Sequence, residues 1–139
     1  MWLPESYEDA KRLINLSLSH LQTDYVDLFL IHQPYGKLDE IWKAMEEAKA
    51  EGKIHSIGVS NMSPKIWNKW VPEFETTPSV NQVEYNPYFQ QKELSNLIKP
   101  QGVKLEAWAP LGQGNADLLN DPVILEIAEK YDKNAAQVI

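Results

Sequence analysis

Four short apolar runs, each leading into a helical pattern, constrain this chain more than any other feature. Val26 to His32 is nearly continuous in apolar character, as in a strand buried on both faces. Ser56–Ser60, Val80–Tyr85 and Lys104–Trp108 read as three further strands. A helical stripe precedes the first run: Tyr7, Ala10, Leu13, Ile14, Ser17, Leu18 and Leu21 share one face, behind a Ser6 N-cap with Asp9 in capping-box position. Leu38, Ile41, Trp42, Met45 and Ala48 form the next stripe, stopped by Gly52. Ser63-Pro64 and Asp121-Pro122 pair an N-cap with Pro at the first helical position. Leu94, Leu97 and Ile98 mark a helix closing near Gly102, and another helix starts near Asn134. Val123, Ile124, Ile127, Ala128 and Tyr131 form the apolar helical face behind Asp121-Pro122.

The strands begin near residues 26, 55, 80 and 104, and a helical pattern separates each pair. That spacing suits βα units, so the sheet should be parallel. Two architectures satisfy it, an open doubly wound sheet and part of a (β/α)8 TIM barrel. A dinucleotide-binding open sheet carries a Gly-rich turn after its first strand. Ile31-His32-Gln33-Pro34 stands there instead, and Gly112-Gln113-Gly114 lacks a third Gly, so the barrel is the better reading. Residues 1–139 then make one incomplete α/β barrel domain of about four parallel strands, where a full barrel takes about 250 residues.

Composition removes whole classes of function. Thirteen Lys and Arg against 20 Asp and Glu give a net charge of −7, which disfavours nucleic acid and anionic membrane as partners. No Cys is present, so disulfides, thiolate metal sites and a Cys nucleophile are excluded, and a cytoplasmic location is expected. The longest apolar run, Leu28 to Ile31, cannot span a bilayer, and the first residues do not read as a signal peptide. His20, His32 and His55 lack ligand spacing, so no metal is expected. Gly-x-Ser-x-Gly and Lys-Ser/Thr phosphate loops are both missing.

In a barrel, chemistry sits at the C-terminal ends of the strands. Polar side chains there are His32, Ser60 with Asn61, and Gln82, with Trp108 and its loop at the fourth strand. His32 could hydrogen-bond a substrate oxygen or move a proton, or be a structural His on a backbone carbonyl. Ser60, Asn61 and Gln82 could bind a planar amide, or cap the following helices. Trp108 could stack on an aromatic ring or fill core. Pro110 to Gly114 could bring backbone N–H groups to phosphate, or be a plain turn.

These positions resemble the aldo/keto reductase family. The stretch Leu21 to Pro34 is similar to the family's strand-four signature, and Gly52-Lys53-Ile54 with Ile57 to Asn61 to its strand five. Asn81 to Pro87 resembles strand six, Ala107 to Gly112 strand seven, and Ala136-Gln137-Val138 the start of the helix before strand eight. The resemblance implies a barrel that reduces aldehydes and ketones with NADPH. It implies that His32 orients the carbonyl, and that Ser60, Asn61 and Gln82 hold the nicotinamide carboxamide. Trp108 would stack on the nicotinamide, as in the diketogluconate reductase branch. Ala109, Pro110, Leu111, Gly112, Gln113 and Gly114 would line the rest of the cofactor site, with Leu111 to Gly114 at the pyrophosphate. Trp2 and the loop after His32 would flank the substrate. The family's catalytic Asp, Tyr and Lys, and its basic segment for the 2′-phosphate, have no counterpart in these 139 residues. The chain alone is therefore expected to lack turnover.

Strand alternation supplies one further expectation. An inward His32 carries Leu30 and Leu28 inward and turns Phe29 and Ile31 toward the helices. Four strands leave two raw edges and half an interior open, so the chain alone should self-associate across that side. A non-catalytic half-barrel module that pairs with itself is the rival reading.

Overall fold

The computed structural model describes residues 4–139. Helix α1 (Tyr7–Leu21) leads into β1 (Val26–Ile31), followed by α2 (Leu38–Ala50), β2 (Ile54–Ser60), α3 (Pro64–Trp70) and β3 (Val80–Glu84). Then come α4 (Lys92–Ile98), β4 (Lys104–Trp108), α5 (Ala116–Leu119), α6 (Pro122–Lys130) and α7 (Ala135–Val138). The strands form one sheet in the order β1-β2-β3-β4, and every neighbouring pair is parallel. Sequential order with a helix in each crossover is the arrangement of a barrel wall. Among the described residues no helix is long and apolar enough to cross a membrane, and no cluster of His, Asp and Glu could hold a metal.

Helix boundaries follow the local chemistry. Ser63 Oγ accepts from the N–H of Ile66, with Pro64 at the first helical position. Asp121 accepts from the N–H of Val123 and Ile124 ahead of Pro122. Asn134 and Gln137 form a reciprocal capping box. At Ser6 the box is only half made: its hydroxyl accepts from Asp9 N, but the Asp9 carboxylate takes the N–H of Glu5 instead. Gly52, at φ +76°, ends α2 in the left-handed region that glycine adopts without a Cβ penalty.

Among the described residues, one face of the sheet is covered by helices and the other is not. Phe29, Ile31, Ile57, Val59 and Val83 are buried and belong to a core that includes Ala10, Ile14 and Leu18 of α1 and Ile41, Trp42 and Met45 of α2. Asn81 is also fully buried, and its amide donates to Met62 O at 2.8 Å and accepts from Met62 N at 3.4 Å. It ties β3 to the turn after β2. On the uncovered face Leu28 pairs with Ser56, Leu30 with Gly58, and Gln82 with Glu106. Gly58 sits where a Cβ would come within 2.7 Å of Leu30 Cδ2 and 2.9 Å of Val80 O, so the Leu30 side chain and the β3 backbone leave no room there for a side chain.

One expectation needs correction. The apolar character of β1 suggests cover on both faces, yet Leu28 is 37% exposed, because the strands that would oppose it lie outside this half of a barrel. On α6 only Ile124 and Ala128 are buried; Val123, Ile127 and Tyr131 are exposed, at 64%, 38% and 62%. Helical periodicity shows that a stripe is apolar without showing what covers it.

Candidate functional site

The C-terminal ends of the four strands converge on an open cleft of about 380 Å³, lined by His32, Gln33, Ser60, Asn61, Gln82 and Trp108. β1, β2 and β4 deliver His32, Ser60 and Trp108 at or just past their last paired positions, and Gln82 is the middle residue of β3. Ser60 pairs with Gln82 in the β2–β3 register, and Glu84 with Trp108 in β3–β4. The chain then turns at Asn61, which has φ +60°, a left-handed conformation that Asn tolerates better than most residues.

Asn61 holds the rim together. Its side-chain Nδ2 donates to the backbone O of His32 at 3.1 Å and to Ser60 Oγ at 3.2 Å. Its Oδ1 accepts from the indole Nε1 of Trp108 at 2.8 Å. Its main-chain N–H donates to Gln82 O at 2.9 Å. One residue thereby links all four strands. Ser60, buried at 3% exposure, donates its hydroxyl to the same Gln82 O at 2.8 Å. Neither Ser60 nor Asn61 caps the next helix; Ser63 does that. Trp108 is half-buried, with its indole N–H committed to Asn61 and its ring lining the cleft.

Two further residues stand at the cleft. Gln33 lines it directly. Glu106 accepts from Gln82 Nε2 at 2.6 Å. Strand alternation carries the signal for Glu106, since it lies two residues before Trp108 and so shares its face.

The loop after β4 stands apart from this cleft. Ala109 and Gln113 have positive φ, as do Gly112 and Gly114. The N–H groups of Gly112, Gly114 and Asn115 close successive turns onto Ala109 O, Leu111 O and Gly112 O. Pro110 lines a neighbouring hollow of about 300 Å³ with Tyr85, Asn86 and Ala107. The structure thus brings His32, Ser60, Asn61, Gln82 and Trp108 around one space and sets Ala109 to Gly114 beside it. Trp2, expected beside the substrate, lies outside the described residues.

The sequence pattern of the aldo/keto reductase family matches residues 4–134. The chain belongs to that family. Among aldo/keto reductases it is 45% identical over 136 residues to glyoxal reductase of Bacillus subtilis, covering 97% of this chain and 49% of that protein. It is 36% identical over 142 residues to methylglyoxal reductase DkgA of Escherichia coli, covering 100% of this chain and 51% of DkgA. The crystal structure of an aldo/keto reductase from Brucella melitensis superposes with a TM-score of 0.90 at 40% identity, over 99% of this chain and 54% of that one. A variant of Gox0644 in complex with NADPH superposes with a TM-score of 0.90 at 35% identity, over 99% of this chain and 52% of that one. The chain spans about half the length of the relatives it matches.

Proposed function

We propose that this chain supplies the nicotinamide side of an NADPH-dependent site for reducing small aldehydes and ketones. The observation that carries the reading is the Asn61 network, which gathers His32, Ser60, Gln82 and Trp108 around one cleft. The cleft suits a flat ring bearing a carboxamide. Its volume of about 380 Å³ lies in the range of small-ligand sites. The Ser60 hydroxyl, the Gln82 amide and the Trp108 indole all belong to residues that line it.

NADPH, when bound, supplies the hydride that reduces the carbonyl carbon. Ser60 and Gln82 would hold the carboxamide and so fix which ring face is presented. Trp108 would pack against the ring, and its bond to Asn61 keeps the indole from swinging away. His32 would donate a hydrogen bond to the carbonyl oxygen and orient it. Ala109, Pro110 and the stretch Leu111 to Gly114 would line the remainder of the cofactor, with a cytoplasmic setting for the whole.

Proton delivery is where these 139 residues fall short. The Asp, Tyr and Lys that the family resemblance implies are not among them. Mixing the chain with NADPH and methylglyoxal is therefore expected to give no NADPH oxidation above the protein-free rate. Steady turnover that His32→Ala abolishes would overturn this.

The rival reading, a half-barrel that pairs with itself, draws on the exposed Leu28 and on Val123, Ile127 and Tyr131 of α6. Exposed apolar surface of this kind favours association. It predicts a dimer or larger species in sedimentation velocity; a monomer at all concentrations would remove it.

A further inference from the structure

We infer that Glu106 is a positioning residue that fixes the Gln82 amide as a hydrogen-bond acceptor toward the cleft, so that the site selects a ligand group carrying N–H donors. The inference rests on the nicotinamide reading of the cleft and extends it to a residue outside the cleft's lining. Gln82 and Glu106 are direct partners in the β3–β4 register and share one face of the sheet. Gln82 Nε2 stands 2.6 Å from Glu106 Oε1. An ionised carboxylate only accepts, whereas a Gln side chain has a donor end and an acceptor end. The donor end must therefore face Glu106, and the carbonyl oxygen Oε1 must face away from it. A charge-assisted bond of this length is among the stronger hydrogen bonds available to a side chain.

The rest of the rim leaves this oxygen a distinct role. Asn61 already donates through Nδ2 to both His32 O and Ser60 Oγ, and accepts from Trp108 through Oδ1. The Ser60 hydroxyl proton is committed to Gln82 O. Among the described residues, no hydrogen bond to Gln82 Oε1 is formed. Beside Gln82 two acceptors are thus left to face a ligand, its own Oε1 and the remaining lone pair of Ser60 Oγ, against the one Nε2 hydrogen that Glu106 does not take. A primary carboxamide satisfies them with its NH2. A ketone or carboxylate in the same place offers no donor, and the acceptors would oppose it across the cleft.

Two measurements on the full chain test this. The first needs no ligand. In ¹⁵N-labelled protein the Gln82 side-chain NH2 should give two well-separated, slowly exchanging proton signals. Glu106→Ala should collapse them toward the values of a solvent-exposed Gln, while Glu106→Gln, which keeps an acceptor at that position, should restore part of the separation. Unchanged Gln82 signals in Glu106→Ala would overturn the positioning role.

The second compares 1-methylnicotinamide with 3-acetyl-1-methylpyridinium, two cations of similar size that differ in the amide donor. Wild type should bind the carboxamide about tenfold more tightly, and Glu106→Ala should bring the two within about twofold. An equal preference in wild type and Glu106→Ala would overturn the selectivity. If neither probe binds wild type, the nicotinamide reading falls, and the NH2 signals alone decide whether Glu106 orients Gln82.

Discussion

Asn61→Ala should loosen the whole rim of the cleft. The substitution removes two donated bonds and one accepted bond, which join β1, β2 and β4. Each is worth about 0.5–1.5 kcal/mol net. Alanine also fits the backbone at φ +60° less well than Asn does, which adds a further cost of about 1 kcal/mol. The expected loss is about 2–4 kcal/mol in denaturant unfolding, with NADPH binding weakened at least tenfold because Trp108 is no longer tethered. Asn61→Asp separates the parts. It retains an acceptor for Trp108 and loses the donors to His32 O and Ser60 Oγ, so the indole N–H signal of Trp108 should persist while stability falls. A change below about 0.5 kcal/mol for Asn61→Ala, the range of ordinary surface substitutions, would mean that the network does not hold the rim.

The second large effect belongs to the core beneath the site. Trp42 is 1% exposed and stacks on Phe74, with ring centroids 4.6 Å apart and planes 12° from parallel. Its Nε1 donates to Thr76 O at 3.0 Å, so α2 is fastened to the segment leading into β3. Trp→Ala in a packed core costs about 3–5 kcal/mol. A domain's whole stability is about 5–15 kcal/mol, and this one leaves a sheet face open. Trp42→Ala should therefore lose most of its helical circular dichroism at 25 °C. Trp42→Phe keeps an aromatic ring against Phe74 but leaves Thr76 O without its donor, for a smaller loss of about 1–2 kcal/mol. A Trp42→Ala protein that melts like wild type would show that α2 does not anchor the sheet.

Local chemistry in the sequence carries much of this architecture. Ser63-Pro64, Asp121-Pro122 and Asn134 each cap the helix they precede. The apolar runs place the strands to within two residues, and spacing implies the parallel order. Inward and outward alternation in β1 is also legible, with Phe29 and Ile31 buried against the helices. What escapes a linear reading depends on elements far apart in the chain. Cover over Val123, Ile127 and Tyr131 depends on what packs beside α6, not on the period within it. The partners of Asn61 lie 29 and 47 residues away, and the bond from Gln82 to Glu106 spans 24. A motif names Asn61 and Gln82 as polar residues at strand ends; only the register shows that one locks the rim and the other has its amide turned by a carboxylate. Asn81 makes the same point from the opposite side of the sheet. In sequence it is one more polar residue in a strand, and in the fold it is a buried clasp on Met62.

The most direct test of the account is a titration of the ¹⁵N-labelled chain with NADPH, read residue by residue. Shifts should concentrate at His32, Ser60, Asn61, the Gln82 side chain and the Trp108 indole N–H, with smaller ones along Ala109 to Gly114. No shifts at saturating NADPH, or shifts confined to the charged groove of Lys43, Glu46 and Glu75 on the helical side, would contradict it.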